Sequence, residues 1–210
     1  MTSQHFLQDI GLSHNCYPEI LIGPTGSIVA TQMPLIRVIE EMESIRDRRR
    51  RGGVIPYGID NEGKLWFGTG IDAKYGDITD FGGSIEKEDD DYIETAMREF
   101  EQESIGSFGQ FYKEDFYGHY VVMTKRIVII FYFLGKIDEN YMKKVSNCFD
   151  HLLPLQKDPK RKEVSNIFWY EGTNLREIAS YNRNEGNRAV FRQIRSHIVT
   201  FLNFRLNSEK

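Results

Sequence analysis

The chain has 210 residues, of which 40% are hydrophobic, 28% charged and 13% aromatic, a balance that excludes a disordered or fibrous protein. Its 27 Lys and Arg against 31 Asp and Glu give a net charge of -4, which excludes a uniformly basic nucleic-acid-binding protein. The negative charge is concentrated, because residues 77–103 hold eleven acids and two bases, a local charge of -9. The rest of the chain therefore carries +5, and this asymmetry is the first indication of function.

The first 31 residues contain turn signals between short apolar segments, which predict a small hairpin or an arm packed on the main body. From residue 34 to 51 apolar residues recur at helical spacing. This segment ends in four arginines followed by Gly52-Gly53, which predicts a helix with a basic last turn. Residues 1–51 are therefore assigned to an N-terminal arm and helix.

The middle of the chain contains β-branched and aromatic segments separated by turn residues, which predict strands. The predicted strands are 54–59, 64–69, 80–86, 127–134 and 167–170, and the predicted helices are 90–104, 138–147, 174–180 and 185–206. This order of elements predicts an α/β (α+β) sandwich with a mixed sheet, in which a loop and a helix present a metal site at the edge of the sheet. Residues 52–182 form its core, and residues 183–210 a C-terminal helix packed on that core.

The two cysteines, Cys16 and Cys148, lie far apart and in no metal-ligand spacing, which favours a reducing compartment. The first residues lack the basic and apolar regions of a signal peptide. The longest apolar run, residues 127–134, is too short to span a bilayer. We therefore expect a cytoplasmic protein without a membrane segment, and the sequence indicates no protein partner.

Glycines and acids are regularly spaced over residues 82–104, which read GGSIEKEDDDYIETAMREFEQES. A glycine pair at the end of a strand permits a tight loop and close approach of the backbone. Acids three and four positions apart on the following helix project to one side. Carboxylate oxygens crowded in this way suit Mg2+ or Mn2+, hard cations that also bind phosphate oxygens.

This segment resembles the signature of the Nudix hydrolases, G-x5-E-x7-R-E-U-x-E-E-x-G-U, in which U is an apolar residue. Gly83 takes the leading glycine, and Arg98-Glu99-Phe100 takes the Arg-Glu-apolar triplet. Gln102 and Glu103 fall on the Glu-Glu pair. The resemblance implies the α/β/α sandwich of this family, Mg2+ or Mn2+ as cofactor, and hydrolysis of a nucleoside diphosphate linked to another moiety.

The resemblance also assigns roles to individual residues. It places metal binding on Glu99, Gln102, Glu103 and Gly83, and catalysis on Glu99 and Glu103. It pairs Arg98 with a loop acid, which is Asp89 or, after a one-residue shift, Glu88; Gly82 belongs to the same structural motif. Gln102 replaces an expected glutamate and so leaves the number of metals open. Glu163 stands six residues before Trp169 and is a further candidate metal ligand or general base.

Basic residues outside the motif indicate a polyanionic substrate. They are Lys160, Arg161 and Lys162 in a predicted loop, and Arg188, Arg192 and Arg195 at i, i+4, i+7 spacing on the predicted C-terminal helix. With additions at both ends of its core, the chain looks like the mRNA-decapping branch of the family, including the viral enzymes, which makes capped RNA the leading substrate among nucleotides. A hydrolase of dinucleoside polyphosphates, inositol pyrophosphates or nucleotide sugars is an alternative, and so is a decayed domain that only binds nucleotide or RNA.

Overall fold

The computed structural model describes residues 20–22, 28–30, 51–90, 92–112, 120–123, 127–181 and 189–207. Within these residues nine strands form one sheet. The strands are β1 (Ile20–Ile22), β2 (Ile28–Ala30), β3 (Arg51–Ile59), β4 (Leu65–Asp72), β5 (Ile78–Thr79), β6 (Phe81–Ser84), β7 (Tyr120–Met123), β8 (Ile127–Lys136) and β9 (Val164–Glu171). The helices are α1 (Tyr92–Ser104), α2 (Glu139–Leu152), α3 (Gly172–Tyr181) and α4 (Arg195–Asn207), with short 3-10 turns at Leu153–Leu155 and Pro159–Lys162.

The sheet is mixed, because β3 and β8 are parallel while the other paired strands are antiparallel. The main path runs β1-β2-β7-β8-β3-β4-β5, with β6 on β3 and β9 on β4. Strand β3 changes partner along its length: residues 57–59 pair with β4, and residues 51–54 pair with β6. The end of β3 that faces β6 is also where the chain enters α1.

Each face of the sheet has its own hydrophobic core, since successive side chains of a strand point to opposite sides. Along β8, Val128 and Ile130 belong to the core that includes α1 and α2. Ile129 and Phe131 belong to the core that includes α3 and α4. The sheet is thus covered by helices on both faces, and the predicted α/β/α sandwich with a mixed sheet is confirmed.

Helix α4 contributes large side chains to the second core. The ring of Phe201 stacks on Phe131, with centroids 3.9 Å apart and an interplanar angle of 9°. Tyr57 meets the same ring edge-on at 5.2 Å. Aromatic pairs in these arrangements add to the free energy gained from burial, so α4 is an integral layer of the fold.

Two predictions about secondary structure are wrong. The C-terminal helix begins at Arg195, ten residues after the predicted start, since residues 189–194 form a bridge and a turn. Arg51, expected at the end of a helix, is the first residue of β3. The rest of the helix predicted at 34–51 lies outside the described residues. The turn of the predicted N-terminal hairpin also lies outside them, but strands β1 and β2 are described and pair antiparallel.

In the described part of the chain, no helix combines the length and apolarity needed to cross a bilayer.

Candidate functional site

Two glycine pairs bring α1 close to the sheet. β3 and β6 face each other through Gly52 opposite Gly83 and Gly53 opposite Gly82. A Cβ atom on Gly52 would lie 2.7 Å from the carbonyl oxygen of Tyr92, at the start of α1. Because side chains are missing here, the helix packs against the strand backbone and its acidic side chains can reach β6.

Glu103 is buried at the centre of this junction, with 5% of its surface exposed. Its Oε2 accepts a hydrogen bond of 2.6 Å from the backbone N–H of Gly82. Burial raises the pKa of Glu103 well above its ordinary value, and the nearby carboxylates of Asp80 and Glu99 add to this effect, whereas Arg51 and the Gly82 N–H oppose it. The junction holds the three carboxylates of Glu103, Glu99 and Asp80 against the guanidinium groups of Arg51 and Arg98.

Glu99 lies one helical turn before Glu103, and its side chain is 13% exposed. Its carboxylate rests directly on Gly83, so that a Cβ atom at this glycine would overlap it. Burial raises the pKa of Glu99 and the charge of Glu163 raises it further, while an ion pair of 2.7 Å with Arg98 works in the opposite direction. The glycine pair Gly82-Gly83 is thus in contact with both glutamates.

Arg98 fixes the loop between β6 and α1. Its Nε and Nη2 donate to the two carboxylate oxygens of Asp89 at 3.0 and 2.8 Å. The same carboxylate also accepts from the N–H of Glu86 and the hydroxyl of Thr95. Burial would raise the pKa of Asp89, but these hydrogen bonds outweigh it and the pKa is lowered. Of the two acids that the sequence left open, Asp89 is the partner of Arg98, and Glu88 is exposed.

Gln102 and Glu163, the other two predicted site residues, make fewer contacts with the junction. Gln102 is half-buried on α1 and has no hydrogen bond to Glu99 or Glu103 among the described contacts. Glu163 is exposed at the end of the 3-10 turn Pro159–Lys162, where its carbonyl accepts a hydrogen bond of 2.8 Å from the Ala73 N–H. Its charge acts on Glu99, which places it on the same side of the molecule as the site.

The donors of this junction fit a divalent cation in part. In the described ranges, no three or more His, Cys, Asp or Glu side chains are grouped so as to hold a metal ion. Glu99 and Glu103 nevertheless supply two carboxylates that contact the backbone of the Gly82-Gly83 pair. Hard oxygen donors with surplus negative charge fit Mg2+ or Mn2+, and the two glutamates are a partial ligand set for such an ion.

The predicted basic residues are only partly brought together. The turn Pro159–Lys162 packs against α1, and Lys160 forms an exposed ion pair of 2.8 Å with Glu86. Arg161 is half-buried and Lys162 exposed in the same turn. This turn therefore places positive charge beside the acidic junction.

The predicted arginine face of the C-terminal helix is not formed, because the helix starts too late. Arg192 is exposed in the turn before α4, and Arg195 is the first residue of the helix. The Nε of Arg195 donates to the carbonyl of Val190 at 2.8 Å. Arg188 lies outside the described residues.

A buried ion pair near Glu103 was not predicted from the sequence. Nη1 of Arg51 lies 2.5 Å from the carboxylate of Asp80, which is fully buried. Nη2 of Arg51 donates to the carbonyl of Gly82 at 2.6 Å. A Cβ atom on Gly53 or Gly82 would run into the Asp80 carboxylate, so the glycines also make room for this pair. The sequence contains two Gly-Gly pairs, at 52–53 and 82–83, and Asp80 stands two residues before the second pair. This pattern could have indicated space for a buried carboxylate.

A cavity of about 650 Å³ lies beside the Arg98–Asp89 pair. Its lining includes Met97, Glu101 and Phe111 but neither Glu99 nor Glu103. The cavity therefore does not include the two glutamates that contact the glycine pair.

Comparisons with known proteins give a likeness of fold. No protein-family model matches the chain, and no curated protein matches its sequence. Among solved structures, the chain is similar to the crystal structure of an Ap4A hydrolase from C. elegans in a binary complex. The TM-score is 0.45 and the sequence identity 17%, over 75% of this chain and 99% of that chain. At this identity the likeness concerns the arrangement of helices and strands.

Proposed function

We propose that this protein is a divalent-metal-dependent hydrolase of the Nudix type, which cleaves a pyrophosphate bond in a derivative of a nucleoside diphosphate. One observation carries the proposal: Glu103 hydrogen-bonds the N–H of Gly82 while Glu99 rests on Gly83. Residues that stand in the order of the Nudix motif, from a strand into a helix, thus form one acidic junction. A solvated acidic helix would not bury these glutamates.

Each side chain of the junction has a role in the proposed reaction. Glu99 and Glu103 hold a divalent cation, with Gly83 and Gln102 as further predicted donors. When bound, the cation neutralises phosphate oxygens and lowers the pKa of the attacking water. Arg98 and Asp89 hold the loop in place, since their hydrogen bonds tie it to α1. Glu163, exposed beside Glu99, is the candidate base that accepts a proton from water.

Capped RNA is the proposed substrate. The turn with Lys160, Arg161 and Lys162 packs on α1 beside the acids, where it can contact a polyphosphate or an RNA backbone. Support from the C-terminal arginines is weaker than the sequence indicated, because Arg195 is bonded to Val190. The reaction would release a methylated guanosine diphosphate from the RNA.

The test is a parallel hydrolysis assay with Mn2+ or Mg2+ on cap-labelled RNA, free cap dinucleotide and diadenosine polyphosphate. Release of methylated GDP from the RNA alone is the expected result. Hydrolysis of the small molecules instead of RNA would establish the small-molecule alternative. Nucleotide binding without turnover of any of the three would establish a decayed domain and refute the proposal.

Two variants on the same helix sharpen this assay. Glu103→Gln keeps the size of the side chain and removes its charge, and we expect it to abolish hydrolysis. Glu101→Gln is the matched control, because Glu101 is exposed on α1 and has no part in the proposed site. Wild-type rates in Glu103→Gln would refute the assignment of this residue.

A further inference from the structure

The ion pair between Arg51 and Asp80 adjoins the proposed metal site through Gly82, and neither residue is one of the proposed donors. Asp80 is fully buried, and the side chain of Arg51 is 14% exposed. The free energy needed to remove two charges from water cancels much of their mutual attraction, so a buried ion pair contributes little net stability. Its position beside Glu103 points to a different use.

Gly82 connects the ion pair with the metal-binding carboxylate. Its N–H donates to Glu103 at 2.6 Å, and its carbonyl accepts from Arg51, also at 2.6 Å. Arg51 therefore lies one peptide unit away from the contact of Glu103 with the strand. Electrostatic interactions link Arg51 to Glu103 and, more weakly, to Glu99.

The Arg51 guanidinium has three carboxylates within its electrostatic reach, namely those of Asp80, Glu103 and Glu99. It is bonded to Asp80, whose carboxylate fits in the space left by Gly53 and Gly82. Without the negative charge of Asp80, Glu103 would be the strongest remaining partner for this cation. An arginine on Glu103 would occupy a carboxylate that a metal ion needs, and it would also repel the ion.

We infer that Asp80 is a positioning residue that keeps the Arg51 guanidinium off Glu103, so that this carboxylate remains available to a divalent cation. The inference rests on the metal site of the proposed function. It concerns Mn2+ affinity rather than the chemical step. It also gives a reason for a buried charge pair at a place where two apolar residues would cost less to bury.

The test is a titration of the purified 210-residue chain with Mn2+, in which electron paramagnetic resonance measures the free ion. Asp80→Asn should bind Mn2+ about tenfold more weakly than wild type, because an uncompensated positive charge now faces the site. The double variant Arg51→Gln with Asp80→Asn removes both charges and should recover affinity to within about threefold of wild type. Glu62→Gln, which breaks the exposed ion pair with Lys64, is the control and should bind like wild type.

A general disturbance of the fold would not give this pattern. If Asp80→Asn binds Mn2+ as tightly as wild type, or if the double variant binds as weakly as Asp80→Asn, the inference is overturned. Should Asp80→Asn fail to fold by circular dichroism, Arg51→Gln decides the question: it removes only the positive charge and must bind Mn2+ at least as tightly as wild type. Weaker binding by Arg51→Gln would overturn the inference. Absence of Mn2+ binding by the wild-type chain would instead overturn the proposed function, and the inference with it.

Discussion

Replacing Glu103 by glutamine should make the metal-free protein more stable while removing its response to metal. Glu103 is buried, and its charge is opposed by Asp80 and Glu99 and favoured by Arg51. Because Asp80 is paired with Arg51 and Glu99 with Arg98, the carboxylate left without a cation of its own is that of Glu103. A glutamine of the same shape can still accept the hydrogen bond from Gly82.

The size of the effect follows from these contacts. At an effective dielectric constant of ~20, a neighbouring unit charge contributes about 2–3 kcal/mol. Loss of the charge also weakens the hydrogen bond from Gly82 by about 1 kcal/mol. The net gain in the free energy of unfolding is then about 1–2 kcal/mol, or ~2–8 °C in Tm for a chain of this length.

Calorimetry in the presence of a chelator, and again with Mn2+, measures both parts of this prediction. Wild type should start at the lower Tm and rise with Mn2+, because an ion that binds only the folded state stabilises it. Glu103→Gln should start higher and not respond. A lower Tm than wild type in chelator would refute the argument that Glu103 carries an uncompensated charge, and an equal response to Mn2+ would remove it from the metal site.

Three further predictions concern the loop and the second core. A double-mutant cycle of Arg98→Met with Asp89→Asn should give a coupling energy of about 1–2 kcal/mol in urea unfolding. The control Glu88→Gln should change the free energy of unfolding by less than about 0.5 kcal/mol. A coupling energy of zero would refute the role of the Arg98–Asp89 pair in holding the loop. Burial lowers the pKa of His197, so the unfolded chain takes up a proton below pH ~6.5 that the folded state resists. Wild type should therefore lose more stability than His197→Gln between pH ~7.5 and ~5.5, and parallel losses would contradict this. Phe201→Ala should lower the free energy of unfolding by about 3–5 kcal/mol and Phe201→Leu by less, because leucine fills part of the space; a loss of less than about 1 kcal/mol in Phe201→Ala would contradict the burial of this ring.

The sandwich and the acidic junction were predictable from sequence because their signals are local. Alternating burial along the apolar run at 127–134 follows from the pleat of a strand. Ile93, Ala96 and Phe100 recur every three or four residues and predict α1 to within two residues of its observed start. The glycine pair and the glutamates that follow it are close in the chain, so their contact in space could be expected.

The two wrong predictions concern Arg51, whose partner is distant in the sequence, and the start of the last helix, where a turn has the apolar spacing of a helix. Arg51 follows three other arginines and looked like the end of a helix, but its partner Asp80 lies 29 positions later. Phe191 and Ile194 continue the apolar spacing of the last helix towards its N-terminus. Both pack on the second core from the turn before α4, so apolar side chains can be buried at helical spacing without a helix.

The stacking of Phe201 on Phe131 has a consequence for where this protein can be cut. Residues 52–182 were expected to form the catalytic core, yet α4 fills the second core with Ile198, Phe201 and Leu202, each fully buried. A chain that stops at residue 182 would expose that face of the sheet to water and should aggregate rather than fold. The sandwich and its last helix should therefore unfold as one cooperative unit, and a fragment that folds has to include the buried residues of α4.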